Sequence, residues 1–414
     1  MKKRVLIIGA GAQGNVISGV LSKAEDVESV ILGDIDLERA RGVAEFVDPD
    51  RIEAIRIDAS NVEEMTSLIA GGNFELVVNA TLTDFNRSIL QATVNAKTNY
   101  LDMASDEYLE SSTPETVQEE FLVEQLEWAK AFEDIGKVAL ILAGADSGLS
   151  NIMCREAADE LDEIDYIGIK DFGVVECDIP VALWSFESYL DDNWLKGIYW
   201  EDGQHKYAEP FSGAEMYDFP PPLNRTGKVV YHLHEEPITI PKFIGKPVKY
   251  CDFKLGEPDI DMWEYIINQL RMMDPEPVNI KGVMVSPRDV LLRHVPPTLS
   301  PKECTELVRE NRLKSQSMFV ADVKGRRAGK SLHFKLWTEG PDAAKACGLI
   351  PGANDVSWMT SIPASILSLM ILRGQIEKPG VYPCETLDRE QREIVFNGIR
   401  EWEITVRKQV TEIA

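Results

Sequence analysis

A glycine-rich turn near the start of the chain constrains its fold more than any other feature. The apolar run VLII is followed by three glycines with the spacing Gly9-x-Gly11-x-x-Gly14, and apolar residues then recur at helical spacing. This pattern predicts a strand, a phosphate-binding turn that includes Ala12 and Gln13, and a helix. The first glycine permits the tight turn, the second lets the backbone approach a pyrophosphate, and the third lets the helix pack closely on the strand. The helix N-terminus would then offer free N–H groups to the anion.

A second apolar segment, SVILGDID, predicts which nucleotide the turn accepts. It ends at Asp34, about 20 residues beyond the glycines, where a carboxylate can accept hydrogen bonds from the adenosine ribose hydroxyls. A carboxylate at this place would repel a 2′-phosphate, which favours NAD as the cofactor. Arg39 and Arg41 are close enough in sequence to leave NADP open.

Strands and helices alternate over the first 150 residues. Short apolar runs predict four further strands, at residues 52–58, 74–81, 98–104 and 137–144. Ser60 with Glu63 predicts a capping box at the start of one helix, and residues 114–135 predict an acidic amphipathic helix. The alternation is typical of a doubly wound parallel sheet. Ligands of such sheets bind at the carboxyl ends of the strands, so Asp58, Ala80 and Thr81 are candidate cofactor contacts.

The remainder of the chain has a different pattern. From about residue 165 to 335 it is rich in Trp, Tyr and Pro, and its short runs with period-2 patterning predict a mostly antiparallel sheet. After residue 340, residues 361–374 predict a buried helix, and the residues from Asp388 onward predict a charged amphipathic helix. We therefore expect a dinucleotide-binding domain at 1–150, an α+β domain at 151–340 and a helical segment at 341–414.

Composition narrows the class of partner. The chain has 69 acidic and 43 basic residues and a net charge of −26, which argues against nucleic acid or an anionic membrane and weakly favours cationic substrates. We expect no membrane span, because no run approaches about 20 apolar residues. The six cysteines are scattered and form no Cys-x-x-Cys pair, which predicts reduced thiols in a cytoplasmic protein. His232 and His234 in VVYHLHEE could form a metal pair, but no third ligand is evident nearby, so no metal site is predicted. The run VLII is too short for an export signal.

Several segments together resemble the saccharopine dehydrogenase-like family of amino-acid dehydrogenases. They are VLIIGAGAQGNV, the strand end NAT, YLDMAS, GADSGLSN, MVSPRDVLL, VKGRRAGK and SIPASILSLMILRGQIEKPGVYPCE, and the resemblance covers essentially the whole chain. The segments GVYP and PRDVLL most resemble the lysine 6-dehydrogenase branch of this family. Where that branch has Ala-Pro-Gly, this chain has Asp146-Ser147-Gly148, in which the Asp is nearer to the saccharopine-type members but their proline is missing.

The resemblance implies a Rossmann domain with an inserted α/β substrate domain, a last segment that packs back across both, and a homodimer. It also implies NAD(P)-linked hydride transfer at a carbon that bears nitrogen, with lysine or saccharopine as the favoured substrate. A dehydrogenase of carboxynorspermidine or another polyamine conjugate is an alternative. A non-catalytic NAD-binding regulator is an alternative of another class.

Two acidic residues at predicted strand ends are candidates for the proton transfer that this chemistry needs. An amine must lose a proton before hydride leaves its carbon, and a carboxylate can accept that proton. Asp102 is the first candidate, although a helix cap or loop carboxylate explains it equally well. Asp146 is the second, although Asp-Ser-Gly is also ordinary turn chemistry.

Four residues of the second domain are candidates for substrate binding. Glu187 and Tyr189 lie in WSFESYLDD, where the substrate domain could face the cleft. An amino-acid substrate also has a carboxylate, for which Arg is the usual bidentate partner, so Arg225 and Arg288 are candidates. For Arg288, pairing with Asp289 or another structural acid is at least as plausible an interpretation.

Overall fold

The structure is a computed structural model that describes residues 3–105 and 123–413. Its first part alternates strands and helices. The strands are β1 (Lys3–Ile8), β2 (Val27–Asp34), β3 (Ile52–Arg56), β4 (Leu76–Asn79), β5 (Asn99–Leu101) and β6 (Val138–Ile141). The helices are α1 (Ala12–Lys23), α2 (Leu37–Val47), α3 (Val62–Gly72), α4 (Asn86–Ala96), α5 (Ala129–Ile135) and α6 (Leu149–Ala158).

The second part is built mainly from strands. They are β7 (Glu163–Cys177), β8 (Gly197–Glu201), β9 (Gln204–Ala208), β10 (Glu215–Phe219), β11 (Arg225–Tyr231), β12 (Tyr250–Gly256), β13 (Val278–Ile280), β14 (Val283–Val285), β15 (Leu313–Arg327) and β16 (Lys330–Glu339). Between them lie α7 (Phe186–Trp194), α8 (Glu236–Phe243), α9 (Ile260–Glu264), α10 (Pro287–His294) and α11 (Pro301–Arg309). The last part contains α12 (Ala343–Leu349), α13 (Asp355–Leu372), β17 (Gly380–Pro383), α14 (Arg389–Glu401) and β18 (Thr405–Glu412).

Within residues 3–105 and 123–413, the first sheet has seven parallel strands in the order β17-β6-β5-β4-β1-β2-β3. Strands β1 and β4 are buried along most of their length because helices cover both faces, which explains their continuous apolar sequences. The order reverses direction between β1 and β4, and a crevice at such a switch point is where doubly wound sheets bind ligands. The predicted doubly wound sheet is therefore confirmed.

The second sheet has the order β10-β11-β12-β7-β15-β16-β18, and a β8–β9 hairpin pairs with β12. Among the described pairs of this sheet only β12 and β7 are parallel, so the sheet is mixed with a mostly antiparallel pattern, as predicted. In β16 the buried and half-exposed residues alternate, which is the period-2 pattern of a sheet with one covered face. Strands β13 and β14 form a separate hairpin.

Helix α13 is the central core element. Its mean hydropathy of 1.4 and its 18 residues would be enough to cross a membrane, but 89% of it is buried inside the molecule. It packs against helix α1, against strand β4 of the first sheet and against strand β15 of the second sheet. Strands β17 and β18, which follow it, join the first and the second sheet respectively. The last part of the chain therefore connects the two sheets.

Three local predictions differ from the structure. Asn61, not Ser60, caps α3, because the Ser60 side chain bonds to Asp58 while the Asn61 side chain accepts the Glu64 N–H at 3.1 Å. The predicted helix after Asp388 ends at Glu401, and the alternating residues 405–412 form β18 instead. The predicted helix 114–135 lies partly outside the described residues, and its described end is a 3₁₀ turn followed by α5.

Candidate cofactor and amine site

The glycine turn between β1 and α1 has the shape of a pyrophosphate cradle. Gly9 has φ +108°, and a Cβ there would lie 2.3 Å from the Ala80 carbonyl oxygen, while a Cβ at Gly14 would lie 1.8 Å from the Gly9 carbonyl oxygen. Both positions need glycine for the turn to form. A Cβ at Gly11 would meet no atom within 4 Å, so this residue faces open space. Gly11 also precedes α1 as its N-cap without a side chain, which leaves first-turn N–H groups for an anion.

Of the two residues that follow Gly11, Gln13 is bonded to the C-terminal core. Ala12 begins α1 and is half-buried. The side-chain oxygen of Gln13 accepts a hydrogen bond from the Ser361 hydroxyl of α13 at 2.7 Å. The turn is therefore held rigidly at the place where the sequence predicts the phosphates.

Asp34 lies at the carboxyl end of β2 and is bonded to the same turn. Its Oδ2 accepts the Ala10 N–H at 2.8 Å, and its Oδ1 accepts the Asp36 N–H at 2.9 Å. The Arg39 guanidinium is 3.9 Å from Oδ2 and more than half exposed. Each carboxylate oxygen keeps a further lone pair for a ribose hydroxyl, and Arg39 offsets the repulsion that a 2′-phosphate would meet.

Asp58 lies beyond the end of β3, next to Asp34. The Ile57 N–H donates to the Asp34 carbonyl oxygen at 3.0 Å, which brings the two strand ends together. The Ser60 N–H and hydroxyl donate to the Asp58 carboxylate at 3.0 and 2.6 Å, and these bonds hold its pKa below the usual value. Asp58 is thus a charged carboxylate on the adenosine side of the predicted groove.

The end of β4 forms the other wall of the turn. The Ala80 N–H donates to the Ile8 carbonyl oxygen at 2.8 Å, and the Ala80 carbonyl is the atom that a Cβ at Gly9 would strike. The Thr81 N–H and hydroxyl donate to the Asn79 side-chain oxygen at 3.0 and 2.7 Å. Ala80 and Thr81 are therefore beside the glycine turn, as predicted cofactor contacts must be.

Two exposed apolar side chains flank this edge of the sheet and were not among the predicted residues. Ile35 follows β2 and is 53% exposed, and Leu82 follows β4 and is 48% exposed. Large apolar side chains at the rim of a nucleotide groove suit the flat faces of adenine or nicotinamide. In the sequence, each of them is an apolar residue that directly follows the polar residue at the end of an apolar run.

A group of ionisable side chains, here called the His234 cluster, lies where the two sheets meet. Its members come from the turn after β6, from β7, from α7, from the β11–α8 connection and from the first residue of α8: Asp146, Asp171, Asp192, His234, Glu235 and Glu236. Only Asp146 was predicted as a site residue. The other members are far apart in sequence, and the segment HLHEE shows only a pair of histidines when it is considered alone.

His234 is the cation of the cluster. Its Nδ1 is 2.5 Å from a Glu236 carboxylate oxygen and 3.2 Å from a Glu235 oxygen. Its ring stacks on Phe253 with centroids 3.9 Å apart and planes inclined by 14°. Although burial lowers the pKa of His234, the charges of Glu236, Glu235 and Asp146 raise it well above the usual value. The neighbouring carboxylates therefore favour the protonated imidazole.

The carboxylates of the cluster hold protons more tightly than isolated acids do. Burial raises the pKa of Asp171 to about 7 against the opposing attraction of His234. Burial raises the pKa of Asp146 well above its usual value, and the Asp171 carboxylate adds to this shift. Burial likewise raises the pKa of Asp192. Asp146, Asp171 and Asp192 all keep part of their surface open to solvent, so they can meet a ligand.

The cluster is anchored by neighbouring groups. The Ser105 N–H donates to Glu235 at 2.9 Å, and the Ser150 hydroxyl donates to Glu236 at 2.7 Å. Ligand atoms of His234, Glu235 and Glu236 lie within 4.8 Å of one another, close enough to hold a metal ion. Because the imidazole proton already bonds to Glu236, a metal would have to displace it, and the hydrogen-bonded ion pair accounts for the geometry.

Asp146 is presented by a tight turn. The Gly144 N–H donates to the Ser147 carbonyl oxygen at 2.9 Å, and the Gly148 N–H donates to the Asn151 side chain at 2.9 Å. Gly148 has φ +131°, and a Cβ there would lie 2.4 Å from the Gly144 carbonyl oxygen, so this position requires glycine. The turn places Asp146 at the carboxyl edge of the first sheet, facing His234.

Asp102, the first predicted proton acceptor, is enclosed. It is 1% exposed, its Oδ1 accepts the Leu142 N–H at 2.8 Å, and its Oδ2 accepts a Gln125 side-chain N–H at 3.0 Å. Burial raises the pKa of Asp102 to about 7, and these bonds partly oppose the shift. A proton-holding carboxylate is therefore present, but its contacts are all within the protein.

The predicted substrate residues do not all converge on the His234 cluster. Arg288 bonds to Asp191 at 2.9 Å and to Glu187 at 3.0 Å, so its charge is already paired with acids of α7. The Tyr189 hydroxyl donates to Glu257. Arg225 lies over the Phe172 ring at 5.3 Å. It begins β11, and at ~3.3 Å per residue the strand carries it about 20 Å from the His234 end.

The arrangement can bind a dinucleotide and exchange protons with a cationic amine. The open space at Gly11 and the uncapped N-terminus of α1 fit a pyrophosphate, and Asp34 fits a ribose. The His234 cluster contains five acids for one cation, and an ammonium group that binds among them would favour their ionised forms. The protonated imidazole and the partly exposed carboxylates can give and take protons.

Comparison with known proteins identifies related sequences over nearly the whole chain. The family described as "Saccharopine dehydrogenase NADP binding domain" matches residues 5–139, and "Saccharopine dehydrogenase C-terminal domain" matches residues 144–401. The carboxyaminopropylagmatine dehydrogenase of Synechocystis sp. is 24% identical over 93% of this chain and 93% of its own. The carboxynorspermidine synthase of Vibrio cholerae is 27% identical over 93% of this chain and 92% of its own.

A solved structure has the same fold. The saccharopine dehydrogenase (L-Glu forming) of Saccharomyces cerevisiae superposes with a TM-score of 0.70 at 12% identity, covering 99% of this chain and all of the yeast chain. The likeness concerns the fold, because identity at this level carries no information on substrate.

Proposed function

We propose that this chain, which belongs to the saccharopine dehydrogenase family and is an NAD(P)-dependent oxidoreductase, acts on the C–N bond of a conjugate between a carboxylic acid and a diamine or polyamine. Carboxynorspermidine and carboxyaminopropylagmatine, which name the enzymes similar to it, are conjugates of this class. Lysine and saccharopine, which the sequence interpretation favours, are the competing substrates.

The observation that carries this proposal is the charge of the His234 cluster. Asp146, Asp171 and Asp192 are partly exposed acids, and their single cation, His234, is already paired with Glu236. Both kinds of substrate carry a carboxylate, so the difference lies in the ammonium groups, which are more numerous in a polyamine conjugate than in lysine or saccharopine and would be attracted more strongly to such a site. The acidic cluster therefore favours a polyamine conjugate over lysine.

The bound nicotinamide would accept or donate the hydride. The chain has to hold the amine beside it and move one proton. In the oxidative direction, Asp146, whose ionised form a bound ammonium stabilises, accepts the proton from that ammonium, which leaves the lone pair that forms the C=N bond as hydride departs. Water then adds to the imine carbon, and its hydrolysis releases a carbonyl compound and an amine. His234 donates a proton to the departing nitrogen.

The cofactor would be held by the residues around the glycine turn. Gly9, Gly11, Ala12, Gln13 and Gly14 would carry the pyrophosphate. The adenosine and nicotinamide sides would be contacted by residues at the strand ends: Asp34, Ile35, Asp58, Ala80, Thr81 and Leu82. Asp34 favours NAD, and Arg39, 3.9 Å away, admits NADP as well.

Two further proposals concern the state of the protein. We propose a cytoplasmic protein, which is supported by six free cysteines. We also propose a homodimer, which is supported by exposed apolar side chains on the β13–β14 hairpin: Val278, Ile280, Val283 and Met284, each 48–63% exposed. Light scattering of the purified protein would give the number of chains.

The test of function is a substrate panel with matched variants. NAD(P)⁺ reduction would be followed with carboxynorspermidine, saccharopine and lysine. Asp171→Asn and Asp192→Asn should each raise KM for carboxynorspermidine by about tenfold, the effect of losing ~1.4 kcal/mol of charge attraction. Asp165→Asn is the control, because Asp165 lies on the same strand as Asp171 but pairs with the surface Lys249.

The panel distinguishes the alternatives. Turnover of lysine or saccharopine in preference to carboxynorspermidine would overturn the proposed substrate class. Tight cofactor binding without turnover of any panel member would favour the non-catalytic regulator. Equal KM changes in Asp165→Asn and Asp171→Asn would mean that the effect is one of overall charge and not of the cluster.

A further inference from the structure

We propose that Asp102 is a positioning residue, which holds the chain at Leu142 and Ala143 so that the following turn presents Asp146 to the His234 cluster. The inference rests on the proposed function, which places Asp146 beside the reacting nitrogen. It gives Asp102 a different role from the proton acceptor that its strand-end position indicates.

The first observation is the backbone at Leu142. This buried leucine has φ +55°, in the left-handed region that leucine rarely adopts. A residue keeps such a conformation only when its surroundings impose it, and such residues concentrate at functional sites. Leu142 directly follows β6 and precedes the turn from Ala143 to Gly148. The left-handed residue therefore sets the direction in which the Asp146 turn leaves the sheet.

The second observation is that Asp102 bonds both residues of this bend. Its carboxylate accepts the Leu142 N–H at 2.8 Å, and its backbone carbonyl accepts the Ala143 N–H at 2.8 Å. The Cys384 thiol, from the segment after β17, donates to the Leu142 carbonyl oxygen at 3.6 Å. The N–H and the C=O of Leu142 are thus both occupied, which fixes the peptide planes on either side of it.

The third observation is that Asp102 is enclosed by its contacts within residues 3–105 and 123–413. It is 1% exposed, and Gln125, which bonds its other oxygen, is 0% exposed and also donates to the Ala104 carbonyl oxygen at 2.9 Å. Asp146, in contrast, is partly exposed at the cluster. The Asp146 carboxylate can therefore contact a substrate amine, whereas the Asp102 carboxylate holds the backbone that leads to Asp146.

Three variants test the assignment: Asp102→Ala, Asp102→Asn and Asp146→Asn. Turnover of carboxynorspermidine with NADP⁺ is measured as kcat and KM, and hydrogen–deuterium exchange of the Leu142 and Ala143 amides is measured without cofactor. Asp102→Ala should lower kcat by about 10- to 100-fold with little change in KM, because a misplaced catalytic group costs rate. The Leu142 amide should exchange faster.

The conservative variant supplies the decisive comparison. Asp102→Asn keeps an oxygen for the Leu142 N–H, and the Gln125 side-chain oxygen, which has no hydrogen-bond partner among the described residues, can turn to accept from the introduced amide. This variant should recover kcat to within about fivefold of the wild type and keep the Leu142 amide protected. Asp146→Asn should lose about 100-fold or more in kcat with unchanged amide exchange.

The outcomes separate this inference from the proposed function. If Asp102→Asn loses as much kcat as Asp146→Asn while the Leu142 amide stays protected, Asp102 is the proton acceptor and the inference is wrong. Wild-type protection in Asp102→Ala would also overturn it. Full activity of Asp146→Asn would instead refute the proposed role of Asp146, and the exchange data would still decide whether Asp102 holds Leu142. If Asp102→Ala fails to fold, Asp102→Asn alone decides.

Discussion

Replacing Gly11 with alanine should separate cofactor binding from folding at the glycine turn. Gly11 has φ −80° and ψ −161°, which alanine adopts readily, and its Cβ would meet no protein atom within 4 Å. The cost to folding is therefore limited to that of an alanine N-cap, about 1 kcal/mol or less. The methyl group would, however, occupy the space through which a pyrophosphate approaches the N-terminus of α1.

The size of the binding defect follows from the bonds that the methyl group displaces. A hydrogen bond to a charged group contributes about 1.5–3 kcal/mol, so the loss of one bond between phosphate and backbone raises Kd by about 10- to 150-fold. Gly14→Ala should instead unfold the turn, because its Cβ would lie 1.8 Å from the Gly9 carbonyl oxygen. Gly42→Ala in α2, also in open space, is the matched control and should bind cofactor normally.

The assay is titration with NADH and NADPH by calorimetry, alongside thermal unfolding of each variant. We expect Gly11→Ala to melt close to the wild type and to bind both nucleotides weakly. Wild-type affinity in this variant would refute the assignment of the pyrophosphate to Gly11. Loss of stability comparable to that of Gly14→Ala would show that Gly11 is needed for packing, contrary to its open surroundings.

Two further predictions concern charge. Asp34→Arg should raise the Kd for NAD at least about tenfold and raise the Kd for NADP less. Arg39→Ala should instead weaken the binding of NADP and leave the binding of NAD unchanged. Unchanged NAD affinity in Asp34→Arg would contradict the ribose assignment. Burial raises the pKa of Glu385 from 4.5 to about 7, so the folded state binds its proton more tightly than the unfolded state. This contribution to the free energy of unfolding, on the order of 3 kcal/mol, is complete below pH 4.5 and is lost as pH rises through 7. In denaturant titrations at pH 5 and pH 8, Glu385→Gln should therefore show a smaller change in the free energy of unfolding than the wild type. Equal pH dependence in both proteins would show that Glu385 is not held protonated.

The local elements of the first sheet could be predicted because their signals lie within single segments. The glycine turn at Gly9 and the strand that ends at Asp34 each require only a few neighbouring residues to be recognised. The family assignment is confirmed, since its quoted segments span the chain and the matches cover residues 5–139 and 144–401. The lysine 6-dehydrogenase branch stays a prediction, as do the domain boundaries near residues 150 and 340.

The remainder depends on contacts between distant segments. The sequence GVYP has no distinctive strand pattern, and it becomes β17 because Gly380 pairs with Val138 of β6. The His234 cluster is similar, because Asp171 and Asp192 approach His234 only after the second sheet has formed. A sequence shows that Asp102 ends a strand, but the atom that its carboxylate bonds depends on the bend at Leu142.

The attachment of β17 to β6 affects the order in which the chain can be completed during synthesis. About 240 residues separate the two strands, and β18 must cross to the other sheet after them. The edge of the nucleotide-binding sheet therefore stays uncovered until β17 has left the ribosome, although most domains finish folding from the N-terminus as they emerge. Contacts this distant in sequence slow folding, and completion of the first sheet depends on the segment Gly380–Pro383. A premature stop anywhere before Gly380 would leave an open strand edge, a target for aggregation and proteolysis.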